Sequence, residues 1–283
     1  MLAQLDRCLV MGIVNVTPDS FSDGGRWLDA GAAVRQGLAL VADGADLVDV
    51  GGESTRPGAG RVPAHEELRR VLPVVRALAE AGVVVSVDTT RAVVADAALA
   101  AGAALVNDVS GGLADPAMAH LVADARVPYV AMHWRGASDR MDELATYGHV
   151  VADVRGELAR RLEALVAAGV EAERVVLDPG FGFAKRSEHG WVLLAHLDAL
   201  AALGRPLLVG TSRKRFLAEA LAVAPPADGA GTPADRDAAT AATSALAAAA
   251  GAWAVRVHEA RPSADAVRVA AALAAARRSE VPA

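Results

Sequence analysis

One unit recurs eight times along this chain: an apolar, β-branched run, a polar or Gly-rich turn, then an Ala-, Leu- and Arg-rich helical stretch. The apolar runs span 9–15, 45–50, 83–88, 103–107, 127–132, 174–178, 206–210 and 253–257. Helical patterns between them include 64–81, 91–101, 150–168 and 189–203. Strands that alternate with helices build parallel βαβ units, because a parallel neighbour needs a crossover. Eight such units predict an α/β fold, the closed (β/α)8 TIM barrel, as a single domain over 1–283. An open doubly wound sheet is the structural alternative, and the regularity of the units favours closure. No change of composition marks a second domain. The stretch AVAPPADGAGTP at 222–233 reads as a flexible surface insertion in the seventh helical region.

The strand ends carry the chemistry. They finish at Asn15, Asp49, Asp88, Asn107–Asp108, Met132–His133, Asp178, Thr211–Ser212 and Arg256–His258. In a barrel these positions converge on the C-terminal mouth, where active sites lie. Any one could cap the following helix, and Asp49 and Asp108 are candidates for that structural role. Capping alone does not account for so many amides, carboxylates and cations. Asp88, Asn107, Asp178 and Lys214 suit a flat heterocycle bearing both donors and acceptors. Asn15, Arg56, Arg256 and His258 form a second set. An amide oxygen can ligate Mg²⁺, and cationic donors grip phosphate. The spacing Arg256-x-His258 puts both side chains on one face of an extended strand. The polar stretch NVTPDSFSDGG at 15–25 follows the first strand as a long loop, a candidate lid over the mouth.

Composition removes several classes. The net charge of −6 argues against a non-specific nucleic-acid surface. No apolar run is long enough for a membrane span, and the N-terminus does not read as a signal peptide, so the cytoplasm is expected. The single cysteine, Cys8, excludes an intrachain disulfide and reads as a small buried filler. Of the 28 basic side chains only Lys185 and Lys214 are lysines. A chain that otherwise uses Arg has a chemical reason to keep a compact ammonium, or has kept two by chance. There is no G-x-x-x-x-G-K-[ST], H-E-x-x-H or G-x-S-x-G motif.

The motifs NVTPDSFSDGG at 15–25, GGESTRPG at 51–58, SVDTTR at 86–91, NDVSGG at 107–112, MHWRG at 132–136, DPGFGFAK at 178–185, TSRKRF at 211–216 and RVH at 256–258 together resemble those of the dihydropteroate synthases of the pterin-binding barrel family. They stand in the family's order from about residue 9 to 275, with MHWRG the weaker match. The resemblance implies a transferase of folate biosynthesis that joins 6-hydroxymethyl-7,8-dihydropterin diphosphate to 4-aminobenzoate and releases diphosphate. It implies that Asp88, Asn107, Met132, Asp178, Lys214 and Arg256 bind the pterin, and that Asn15 ligates Mg²⁺. Asn15, Thr55, Arg56, Arg256 and His258 would contact the diphosphate. Phe21, Pro57, Phe183 and Arg215 would meet the aminobenzoate, and Asp23, Lys214, Arg256 and His258 would be catalytic. A homodimer acting on these two small-molecule substrates is implied as well, alongside the absence of nucleic-acid and membrane partners expected from charge and apolar patterning. The chain departs from many members at Arg215, where Ser is common, and at Glu259, where an apolar residue is common. A corrinoid-linked pterin methyltransferase domain, a pterin-binding paralogue without synthase activity and a phosphosugar barrel are the rival readings. The first would need neither the 15–25 loop nor the RVH grip, and the last would not use a ring of carboxylates and amides.

Overall fold

The computed structural model describes residues 6–17, 30–53, 61–136, 143–222 and 232–279. Strands and helices alternate: β1 Leu9–Asn15, α1 Ala30–Ala42, β2 Leu47–Gly51, α2 Ala64–Glu80, β3 Val85–Asp88, α3 Ala92–Ala100, β4 Leu105–Asp108 and α4 Met118–Ala125. They continue with β5 Tyr129–Met132, α5 Val150–Ala167, β6 Val175–Asp178, α6 Ser187–Ala195, α7 Leu197–Ala201, β7 Leu208–Val209, α8 Arg215–Leu221, α9 Asp237–Ala249, β8 Ala254–Val257 and α10 Ala260–Ser279. All pairings are parallel, in the order β6-β5-β4-β3-β2-β1-β8-β7. Closure between β6 and β7 rests on a parallel bridge from Leu177 to Leu207 and on Leu177 N donating to Pro206 O at 2.9 Å. The fold is the expected (β/α)8 barrel.

Each strand buries both faces, so the runs are apolar on both, with Asp49 in β2 and Ser86 in β3 the buried polar exceptions before the strand ends. Outward residues such as Val10, Val14, Val48, Val50, Val85 and Val87 pack in the layer between strands and helices. Inward residues Leu9, Met11, Leu47, Leu105, Val130, Val176, Leu208 and Ala254 form a separate apolar plug inside the barrel. That plug is the floor of the site. Helix α2 buries Val71, Val74, Val75 and Leu78, the i, i+3, i+4, i+7 stripe of a helix that covers a sheet. Its exit shows how the units are joined: Gly82 takes φ 80° and Val83 N bonds back to Leu78 O at 3.0 Å, a left-handed cap that an L side chain resists.

Two sequence expectations change. The helix expected over 189–203 is two, since the chain leaves helical geometry at His196, φ −126° and ψ 40°, which lets Leu197 and Leu200 turn into the core. The seventh strand is only Leu208–Val209, because Pro206 has no N–H for a ladder. Cys8 is buried, as expected, and burial pushes its thiol up to about 12. Among the described residues no helix is long and apolar enough to cross a membrane. Most of the insertion expected at 222–233 lies outside the described residues.

Candidate active site

The ladder itself builds the mouth. Asn15 pairs with Gly51, Gly51 with Asp88 and Asp88 with Asn107, so polar residues of β1, β3 and β4 come to one level. Across the barrel Met132 pairs with Asp178. One layer below, Asp49 Oδ2 accepts from Asn107 Nδ2 at 2.8 Å and from Arg256 Nε at 2.6 Å. Arg256 Nη2 donates to Asp88 Oδ2 at 2.6 Å. One guanidinium therefore ties two carboxylates that are otherwise buried together, and Asp49 fixes the orientation of the Asn107 amide.

Asp178 Oδ1 accepts the Gly180 N–H at 2.7 Å, which orients the carboxylate at the end of β6. Gly180 is required there: it has φ 69°, and a Cβ would lie 2.6 Å from His133 O. The Lys214 ammonium stands 4.2 Å from the centroid of the Phe183 ring, a cation–π contact. His258 Nδ1 and Ser212 Oγ are 3.0 Å apart, and Ser212 Oγ also accepts from His258 N. Asn15, Asn107, Met132, Asp178, Phe183, Lys214, Arg215, Arg256 and His258 line one cavity of about 390 Å³. Asp88 joins it through Arg256.

The electrostatics follow from burial. Desolvation pushes the Asp88 carboxyl up; Arg256 opposes this and the charge on Asp49 adds to it. Asp178 is raised for the same first reason, with the Gly180 N–H and Lys214 opposing. Lys214 is pushed down to about 8 by burial and by Arg256, against Asp178 and Asp88. The mouth thus holds acids biased toward the neutral form and a base biased the same way.

A second cluster borders the cavity. Lys185 Nζ is 2.9 Å from His133 Nδ1, and His133 Nε2 is 2.8 Å from Glu157 Oε2. Burial holds His133 down to about 4, while Glu157 is held down to about 2, chiefly by its hydrogen bond from His133. Because the folded pKa of His133 lies below its ordinary 6.5, the unfolded chain binds more protons between about pH 4 and 6.5. The His133 contribution to stability is therefore present above that window and lost as pH falls through it. Asp88 and Asp178 act in the opposite sense, so the comparison needed is with His133→Phe. Wild type should lose on the order of 2 kcal/mol more than His133→Phe between about pH 6.5 and 4, read from urea midpoints. Parallel curves would contradict it.

Known proteins place the chain in a family. Residues 11–258 match the family of pterin-binding enzymes. The dihydropteroate synthase of Mycobacterium leprae (strain TN) is 58% identical over 262 residues, covering 92% of this chain and 91% of that protein. The chain belongs to the dihydropteroate synthase family. These enzymes are transferases. The Xanthomonas albilineans dihydropteroate synthase solved with 4-aminobenzoic acid superposes with a TM-score of 0.86 at 45% identity, covering 98% of this chain and 95% of that one. The same enzyme in complex with 7,8-dihydropteroate gives a TM-score of 0.83 at 43% identity, covering 99% and 97%.

Of the residues that resemblance to the dihydropteroate synthases singled out, ten lie in the described parts and gather at this mouth: Asn15, Asp88, Asn107, Met132, Asp178, Phe183, Lys214, Arg215, Arg256 and His258. Phe21, Asp23, Thr55, Arg56 and Pro57, with most of the expected 15–25 loop, lie outside the described residues. Asp108 is structural: it accepts from Ser110 N, Ser110 Oγ, Gly112 N and Tyr129 Oη. Asp49 is not a cap but the hub beneath Asn107 and Arg256. Its signal was an acid inside the buried run LVDVG, on the inward face shared with Leu47. The Lys185–His133–Glu157 cluster was missed, because spacing gives no hint that a helix carboxylate at 157 meets an imidazole at 133. Among the described residues no three His, Cys, Asp or Glu side chains are placed to hold a metal ion.

Proposed function

We infer that this chain catalyses the dihydropteroate synthase reaction. The nitrogen of 4-aminobenzoate forms a bond to the methylene carbon of 6-hydroxymethyl-7,8-dihydropterin diphosphate, the C–O bond breaks, and diphosphate and one proton leave. The observation that carries it is a single cavity onto which Asn107, Asp178 and Lys214 open beside Arg256 and His258. Carboxylate and amide acceptors suit the amino and ring N–H groups of a pterin, and the ammonium suits its carbonyl or ring nitrogen.

An arylamine is neutral and nucleophilic near neutral pH, so no strong base is demanded. Cleavage of the C–O bond is the difficult event. Positive charge delocalised into the pterin ring is stabilised by Asp88 and Asp178, which makes the substitution SN1-like. Arg256 and His258 stabilise the departing anion. Asn15 offers a single hard oxygen at the rim. That fits Mg²⁺ held largely by substrate oxygens and water rather than by a protein cage. Bound there, Mg²⁺ would neutralise charge on the leaving diphosphate. The loops at 15–25 and 51–63, with Asp23, Phe21, Thr55, Arg56 and Pro57, would complete the site and exclude water. The reading includes a cytoplasmic homodimer. Leu246 on α9 and Val269 and Leu273 on α10, exposed apolar side chains on helices packed together, offer it a surface.

The purified chain given the pterin diphosphate and Mg²⁺ should form dihydropteroate only when 4-aminobenzoate is added, with one diphosphate released per product. Binding of the pterin without product would mark a binding-only paralogue and overturn the reading.

A further inference from the structure

Lys185, His133 and Tyr147 border the site but take no part in the chemistry above. All three serve one segment, the connection 179–186 between β6 and α6. This segment takes left-handed geometry three times: Gly180 at φ 69°, Gly182 at φ 73° and Ala184 at φ 46°. Ala184 has no glycine freedom, and such a conformation persists only where its surroundings over-determine it.

The determinants are visible. Tyr147 Oη donates to Ala184 O at 2.9 Å. Lys185 Nζ donates to Phe183 O at 3.1 Å and to His133 Nδ1 at 2.9 Å. With Nδ1 accepting, His133 carries its proton on Nε2 and donates it to Glu157. Arg135 grips both oxygens of Glu157, through Nε at 3.0 Å and Nη2 at 2.5 Å, and its guanidinium lies 3.8 Å from the centroid of the Tyr147 ring. Contacts therefore reach the segment from the residues between β5 and α5: Tyr147 holds the Ala184 carbonyl, His133 holds Lys185, and Lys185 turns back onto the Phe183 carbonyl within the segment. Lys185 is only 5% exposed, and its hydrogen bonds go to a carbonyl and an imidazole rather than to a carboxylate. A buried ammonium kept on such terms is costly, which argues that its position is used. The use is next to it: Phe183 lines the cavity and lies against the Lys214 ammonium.

We propose that Lys185, His133 and Tyr147 are positioning residues that strap the β6–α6 connection to the fifth-strand side, setting Phe183 against Lys214 on the arylamine wall. The inference rests on the reading that Phe183 faces 4-aminobenzoate.

Two variants of the full chain test it. Tyr147→Phe removes one hydrogen bond and should raise KM for 4-aminobenzoate about fivefold. Lys185→Met removes two and should raise it about tenfold or more. The Kd for the pterin diphosphate, titrated without the amine, should move less than about twofold in Tyr147→Phe, because Asp178, Asn107 and Lys214 keep their places. Combined, the two should cost less than the product of their separate effects, since they hold one segment. Amide hydrogen exchange over 183–186 needs no turnover and should quicken in Tyr147→Phe. Unchanged exchange overturns the strap. Faster exchange with unchanged KM overturns its role in arylamine binding, as does a pterin Kd that worsens in step with KM. A wild-type chain that makes no product, with exchange still quickened by Tyr147→Phe, would sink the synthase reading and leave the strap standing.

Discussion

Asp178→Asn should weaken binding of the pterin substrate about a hundredfold, on the order of 2–3 kcal/mol, while leaving the protein as stable as before or slightly more so. The two effects separate because the carboxylate faces two ways. Oδ1 is committed to the Gly180 N–H, a bond that an amide oxygen can keep. Oδ2 is directed toward the side where Gly210 contributes only backbone, with 4.0 Å to the Cβ that glycine lacks. Asn would put an NH₂ there, a donor facing the donors of the heterocycle, and would leave buried polar groups unpaired in the complex. In the free protein the same change removes a charge that burial disfavours, the reason the Asp178 carboxyl is raised. Calorimetric titration with the pterin diphosphate and a thermal melt measure the two sides. A Kd within threefold of wild type would contradict the assignment. A loss of stability matching the loss of binding would mean that Asp178 is mainly structural.

The barrel was legible because its signal is physical at every repeat. Strands buried on both faces read as largely apolar runs, and the polar residue that ends a run marks the mouth. That is why the sequence alone puts Asn15, Asp88, Asn107 and Asp178 at one end of the fold. Register was not legible. Nothing in the spacing of Asp49, Asp88 and Arg256, which are far apart in the chain, says that one guanidinium reaches both carboxylates. Nor does sequence tell that Asp108 faces Tyr129 and the next turn while Asp49 faces the interior. Asp49 lies within its run and Asp108 closes its own, and the alternation of inward and outward faces, fixed by pairing, separates them. The interruption at His196 was hidden because the apolar pattern continues across it, and helical period alone does not register a change of axis.

Arg256→Met should abolish product formation and destabilise the chain by about 3 kcal/mol near neutral pH, because it removes the one cation shared by two buried acids. The guanidinium side chain is 20% exposed, Asp49 is fully buried and Asp88 is 10% exposed, so water replaces little of what is lost. Methionine fills much of the volume, which confines the effect to charge. The sign of its pH dependence follows from Asp88. Burial already raises this carboxyl above the ordinary aspartate value of 3.8, and Arg256 is what opposes the rise. Without Arg256 the folded state holds a proton on Asp88 to still higher pH, where the unfolded chain has released it. Folded chains then bind more protons than unfolded ones, so the variant loses stability as pH rises above that value. Its deficit against wild type should therefore be smaller at about pH 5 than at about pH 8, in urea unfolding at both. Adding Asp49→Asn to Arg256→Met should recover part of the stability and none of the activity, since it removes the excess charge without restoring the anion grip. If the double variant is no more stable than Arg256→Met, packing rather than charge sets the role of Arg256 in the folded chain.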